Sequence, residues 1–270
     1  MASYARGGGQ RGIGAKVEMA ALFGRKSQDF RKTQIIIESL EGVSAMLSMS
    51  MSEAEAGGRE GFLKRVQQEV ELFGETALVT KALAGRVTME DYHCILNRIY
   101  HQSKTSPLTF ALAAVSCQNK YWTLQSYLLH HAEEEKTHWQ WTLSDLKGTG
   151  FSGLSPDLTY PDTVTSAYIA FNYYVSTYMP VARLGIAMML ETLGANYGRR
   201  IAESLMKSLS LKPNQVVFAY GHGDTDVEHS EEMMKVLDQA QLSDADWRDM
   251  IYAAKTAGAL YRQMYTDRFL

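Results

Sequence analysis

The chain has 270 residues, 46% of them hydrophobic and 21% charged, with 5 prolines and a formal net charge of −3. That is enough apolar chain to bury a sizeable core in one domain, and the absence of a clustered excess of Lys and Arg argues against a nucleic-acid partner. No apolar run approaches the roughly 18 residues of a membrane span and the N-terminus lacks the charged-then-apolar order of a secretory signal, so a cytoplasmic protein with no membrane partner is expected.

Gly7, Gly8, Gly9, Gly12 and Gly14, with scattered Arg, open the chain. Such a composition buries too little to offset ordering entropy. It predicts a disordered tail over residues 1–15 and a single helical domain over 16–270. Helical periodicity starts near Val17, and the Ser/Met/Glu/Gly stretch 48–59 predicts a loop between helices. Thr88 followed by Asp91 predicts a capped helix start, and Pro107 a break in the helix it opens. Tyr121 to Lys147 contains no Gly or Pro and runs into Gly148 and Gly150, which predicts one long helix with a glycine stop.

A further helix is expected from Asp162, split at Pro180, with its second half running from Val181 to Leu209. Another follows from about Gln215 to Gln241, and Ser243 with Asp246 caps a last helix reaching nearly to Leu270. Nothing alternates with period two for long enough to build a sheet. The class is all-α, a single-domain helical bundle. Cys94 and Cys117 lack the close pairing of a zinc or redox motif and are expected as packed thiols.

Five of the seven histidines fall in two short clusters. In Gly-His-Gly-Asp-Thr-Asp-Val-Glu-His, the residues His222, Asp226 and His229 stand at i, i+4 and i+7, so a helix projects all three from one face. Two imidazoles and a carboxylate on one stripe suit iron, manganese or zinc. The bland alternative is a solvated polar face. In the other cluster His131 and His138 are two turns apart, with Glu134 and Glu135 between them on the same stripe, while His130 points away. A third contribution is Glu191, set in Gly-Ile-Ala-Met-Met-Leu-Glu-Thr-Leu-Gly-Ala. A carboxylate in so apolar a helix is costly to bury unless it is paired, neutralised or bound to metal.

The order His-x6-His, Glu, His-x3-Asp-x2-His resembles the haem-oxygenase-like di-iron oxidases, also described as iron-containing redox enzymes. The likeness spans roughly residues 85–245. It implies the haem-oxygenase-like fold and metal ligands His131, His138, Glu191, His222, Asp226 and His229. Many members carry a carboxylate where this chain has His131, or a Glu three residues before the second ligand, so Glu135 is the alternative to His131. The string from His131 to Asp145, with Trp139 and Trp141, looks like the branch containing a nitrile-forming enzyme that acts on a tryptophan derivative.

The resemblance also implies two Fe(II) ions and O2 as co-substrate in an oxygen-dependent oxidoreductase. Its known outcomes are amine N-oxygenation and oxidative cleavage of amino or fatty acids, on a small substrate bearing a carboxylate or amine. A homodimer and an external electron donor are compatible with it. Two Fe(II) ions against the charges of Glu191 and Asp226 would leave the site positive and attractive to an anionic substrate group. For substrate contacts the aromatic stretch Tyr168 to Tyr178 and the following Arg183 offer Tyr174 and Arg183, although aromatics at helical spacing more often build core. Two other readings stay open: a haem oxygenase, for which the earliest histidine, His93, lies far into the chain, and a cofactor-free relative like the helical thiamin-salvage and quinone-cofactor proteins. Finally, Gly221, Gly223, Asp224, Thr225 and Asp226 make the helix around His222 weak, which predicts that the segment from about Phe218 to Glu231 is frayed or disordered without metal.

Overall fold

The computed structural model describes residues 57–117 and 121–266. The tail predicted over 1–15, the helix predicted from Val17 and most of the loop predicted over 48–59 lie outside them. The described residues are helical throughout, with no strand. In chain order they form α1 (Gly58–Gly74), α2 (Ala77–Leu83), α3 (Met89–Ser116), α4 (Trp122–Glu135), α5 (Trp139–Gly148), α6 (Thr163–Tyr178), α7 (Arg183–Leu209), α8 (Val217–Gln239) and α9 (Asp244–Met264), with single 3-10 turns at Pro156–Leu158, Pro180–Ala182 and Pro213–Gln215. Among them no helix is long and apolar enough to cross a membrane.

The middle of the bundle is α7. From Arg183 to Met189 every residue of it is buried, the mark of a helix enclosed on all sides rather than laid on a surface. Helices α1, α8 and α9 pack around it. At Gly185 an added Cβ would run into the backbone of Met250, so α9 crosses α7 closer than any side chain would allow.

Local chemistry sets most of the boundaries. Thr88 Oγ1 accepts from Asp91 N at 3.1 Å and Thr88 N donates back to Asp91 Oδ2 at 3.0 Å, a reciprocal cap on α3. Asp162 Oδ1 accepts from Thr165 N at 2.8 Å to start α6, and Ser243 with Asp246 caps α9 in the same reciprocal way. Pro180 separates α6 from α7 as expected, and Ser210 ends α7 in the left-handed region at φ 56°.

Two expectations fail. The break at Pro107 does not occur: α3 runs from Met89 to Ser116 with the proline inside it. Interior proline costs roughly 3 kcal/mol, and here buried packing on both sides offsets it, with Leu96, Ile99 and Tyr100 before and Phe110, Ala113 and Ala114 after. The single helix expected from Tyr121 to Lys147 is instead two, α4 and α5, parted at Lys136, Thr137 and His138. The backbone there closes with i→i−3 bonds, His138 N to Glu135 O at 3.2 Å, Gln140 N to Thr137 O at 2.9 Å and Trp141 N to His138 O at 3.0 Å. These tighten the turn without any Gly or Pro to announce it.

The start of α8 has no cap of its own, since Val216 offers none. Asp145 of α5 supplies it from outside: Oδ1 accepts Val217 N at 2.8 Å, Oδ2 accepts Phe218 N at 3.0 Å, and the Tyr92 hydroxyl donates to Oδ2 at 3.2 Å. Burial raises the Asp145 carboxyl to about 6 in spite of these donors. The folded protein therefore holds this proton more tightly than the unfolded chain, and the group's contribution to stability falls as pH rises from about 4 through about 6. Asp145→Asn should cost about 1–3 kcal/mol in denaturant unfolding at neutral pH. It should also reduce the loss of stability that the wild type shows on going from about pH 5 to pH 7. Identical unfolding curves at both pH values would show that α8 starts without this carboxylate.

Candidate metal centre

Glu191 is 6% exposed on the buried stretch of α7, and both of its oxygens are engaged by imidazoles. Oε1 lies 3.2 Å from His131 Nε2 of α4, and Oε2 lies 3.2 Å from His229 Nδ1 of α8. One donor atom from each of the three residues falls within 4.8 Å of the others. Bonds of about 2.0–2.2 Å to one cation place neighbouring donors ~3 Å apart, so these separations fit ligands that share a metal.

A second group stands beside it. Glu135 Oε1 is 2.9 Å from His138 Nδ1 at the α4/α5 turn, and His222 Nδ1 is 3.0 Å from Asp226 Oδ1 on α8. The His138 and His222 rings are 5.0 Å apart and nearly perpendicular. Trp141 stacks on His138 at 4.0 Å and meets His222 edge-on at 5.5 Å, while Phe218 covers the His222 ring at 4.5 Å.

The turn between α4 and α5 explains why there are two groups. On one continuous helix His131 and His138 would share a stripe. With the backbone tightened at 136–138, His131 faces Glu191 and His229, whereas His138 faces Glu135 and His222. The stripe expected on α8 divides likewise, His222 and Asp226 serving one group and His229 the other. His131 and Glu135, expected from the sequence as alternative ligands, thus stand in different groups. Glu135 also adds a carboxylate that the charge count from the sequence omitted.

The residues fit a cation on their own chemistry. His131 Nε2 and His138 Nδ1 are buried and make no hydrogen bond, although carboxylate oxygens stand 3.2 and 2.9 Å away. Lone pairs converging on a common point, rather than N–H groups aimed at oxygens, produce that pattern. Without a cation the charges lean on protons. Burial opposes the charged form of Glu191, but the close approach of the His131 and His229 imidazoles outweighs this and holds its carboxyl below the usual range. The bond to Glu191 raises His229 to about 9. Burial opposes the charged form of His222, yet the bond to Asp226 outweighs it and lifts His222 to about 9. Burial, helped by Glu191 and Glu135, pushes Asp226 up to about 7 against the pull of His222.

Helices α7 and α8 cross through glycines, which accounts for the weak-helix composition noted above. A Cβ on Gly198 would lie 2.7 Å from Ala219 O and 2.8 Å from Gly223 N; one on Gly223 would lie 2.6 Å from Arg199 N; one on Gly221 would lie 2.9 Å from the Trp141 ring. Gly194 leaves room for Asp226 Oδ2 itself. The segment around His222 belongs to a continuous helix, Val217–Gln239.

Beside the second group lies a partly open cavity of about 140 Å³, lined by Glu135, Glu191, His222 and Asp226 and otherwise chiefly by apolar side chains of α1, α2, α3, α7 and α9. Neither residue expected to contact substrate reaches it. Arg183 is 1% exposed, its guanidinium 3.7 Å over the Phe110 ring and its Nε donating to Thr109 Oγ1 at 3.3 Å. Tyr174 is 49% exposed and packs against Phe171 and Tyr178. The cavity is instead lined by residues such as Phe110, Leu190, Tyr197 and Tyr261, none of which stood out in the sequence.

Gly198→Ala should cost about 1–3 kcal/mol, because its Cβ meets backbone that cannot turn aside. Gly194→Ala meets only the end of a carboxylate, so it should cost less stability while displacing Asp226. Equal losses in denaturant unfolding would contradict this account of the crossing.

Residues 96–262 match the family described as iron-containing redox enzymes. No functionally curated protein matches the chain. Among solved structures, a domain of unknown function with a heme oxygenase-like fold from Shewanella denitrificans superposes with a TM-score of 0.70 at 23% identity, covering 75% of this chain and 88% of its own. A TenA homologue from P. horikoshii gives 0.61 at 15% identity over 76% of this chain and 97% of its own. The heme oxygenase-1 of the cyanobacterium Synechocystis, solved with heme, gives 0.60 at 13% identity over 76% and 89%. At such identities the likeness establishes the fold alone. With more than half of its length matched, the chain belongs to the iron-containing redox enzyme family and has the haem-oxygenase-like fold.

Proposed function

We propose that the protein is a non-haem di-iron oxidase that uses O2 to oxidise a small, largely apolar substrate carrying a carboxylate or amine. The observation that carries this reading is the pairing of two His-and-carboxylate groups beside a largely apolar, partly open cavity. His131, Glu191 and His229 would hold one iron, and Glu135, His138, His222 and Asp226 the other. Two ferrous ions held there would supply the electrons for dioxygen reduction. The protein's own part is shape and exclusion of water. Trp141 and Phe218 wall the second group off, and the cavity receives the hydrocarbon or aromatic body of a substrate.

An alkyl chain, as in a fatty acid, and an aromatic amino-acid side chain both suit such a wall. N-oxygenation, oxidative C–C cleavage and nitrile formation are therefore the reactions to screen. The haem-oxygenase reading finds less support: His93 sits 2.8 Å from Thr149 Oγ1 with its ring against Phe151, and it does not line the cavity.

Anaerobic titration should load about two Fe(II) per chain, and His222→Ala or Glu191→Ala should each lower that number. Oxygen exposure of the loaded protein in a stopped-flow spectrometer should then give an optical transient. Its decay should quicken with the right member of a panel of amino acids, amines and fatty acids. Iron content that is negligible, or identical in wild type and both variants, would refute the proposal.

A further inference from the structure

Glu134 forms none of the pairings described so far. Its side chain is about a third exposed, yet Oε2 is buried and makes no hydrogen bond. That oxygen lies 3.5 Å from His131 Nδ1 and 3.9 Å from His229 Nε2. The opposite nitrogens of the same two rings, His131 Nε2 and His229 Nδ1, are the ones that face Glu191. The two imidazoles thus stand between two carboxylates, Glu191 in front and a single oxygen of Glu134 behind both. Its other oxygen is 3.3 Å from Nε2 of the exposed His130. The adjacent Glu133 behaves as a solvated acid should, 68% exposed and paired with Lys136.

We propose that Glu134 is the positioning residue for both imidazoles of the first group, fixing which nitrogen of each ring points at the metal. This rests on the di-metal reading given above. A neutral imidazole has one N–H and one lone pair; with a cation taking the lone pair on the Glu191 side of each ring, the hydrogen stays on the nitrogen that faces Glu134. Behind His131, Glu134 holds the N–H on Nδ1 and leaves Nε2 as the donor. Behind His229 it favours the N–H on Nε2 and leaves Nδ1 as the donor. Neither contact is a hydrogen bond, so both rings are oriented by charge at close range, His131 at 3.5 Å more strongly than His229 at 3.9 Å. The Tyr127 hydroxyl, 3.5 Å from His131 Nδ1, is the other group on that side. A carboxylate behind a metal-binding histidine orients the ring and raises its basicity, and losing it typically costs 10–100-fold in metal affinity.

The test uses the full chain with Co(II) as the affinity probe and Zn(II) for nuclear magnetic resonance of ¹⁵N-histidine-labelled protein. Glu134→Ala should weaken the Co(II) site about 10- to 100-fold. Glu134→Gln, whose amide oxygen still accepts, should weaken it less, and Glu133→Ala should leave it unchanged. Tyr127→Phe should have a smaller effect than Glu134→Ala. In the Zn(II) form the wild type should bind through His131 Nε2 and His229 Nδ1, with the hydrogens on the other nitrogens. Equal Co(II) affinity in wild type, Glu134→Ala and Glu134→Gln, or zinc on His131 Nδ1, would overturn the assignment and leave the di-metal reading intact. A wild type that binds no Co(II) would overturn both.

Discussion

The structure depends on a carboxylate buried where none should be comfortable. Glu191 follows a stretch of α7 that is wholly enclosed, and an isolated charge there would cost many kcal/mol. It is tolerated because α4 and α8 each bring an imidazole to one of its oxygens. That requirement fixes the depth at which His131 sits and the rotation of α8 that presents His229. Once α8 is so placed, Asp226 can lie only over a glycine, and Gly194 provides it. The close crossing that follows demands Gly198 and Gly223 as well. Residues that read as poor helix formers thus become the condition for the geometry.

The same constraint reaches the first ligand segment. A straight helix from Tyr121 to Lys147 would give His131 and His138 to one stripe and crowd both against Glu191. The i→i−3 bonds at 136–138 turn His138 and Glu135 toward His222 instead. Trp141, one turn further, covers both imidazoles of that second group. The cavity then meets the centre through Glu135, Glu191, His222 and Asp226. In this arrangement the substrate would see carboxylates and one imidazole, while His131 stays behind Phe110, edge-on at 4.5 Å.

What could be read in the sequence was whatever local chemistry decides. Caps at Thr88 and Ser243 depend on residues three apart and were visible, and Asp162 was visible as a helix start. So was the spacing of His222, Asp226 and His229 on one helix. The fate of Pro107 was not, because its cost is offset by packing contributed from other helices. The turn at 136–138 carries no breaker residue, so nothing in the residue types marks it. Pairing within the centre was equally hidden. Which histidine meets Glu191 depends on how α4, α7 and α8 cross, so the sequence could not tell that His131 and Glu135 stand in different groups. The place of Arg183 was hidden for a related reason: two turns before Glu191 on a helix enclosed all round, its guanidinium lies over the Phe110 ring and it is not among the residues that line the cavity.

The central claim is that these side chains form two adjacent metal positions rather than one polar cluster held by protons. Crystals of the Fe(II)-loaded protein, measured at the iron absorption edge, address it directly. The account predicts two anomalous peaks, one bounded by His131, Glu191 and His229 and the other by Glu135, His138, His222 and Asp226. A single peak shared by all seven residues, or iron bound away from them, would contradict it.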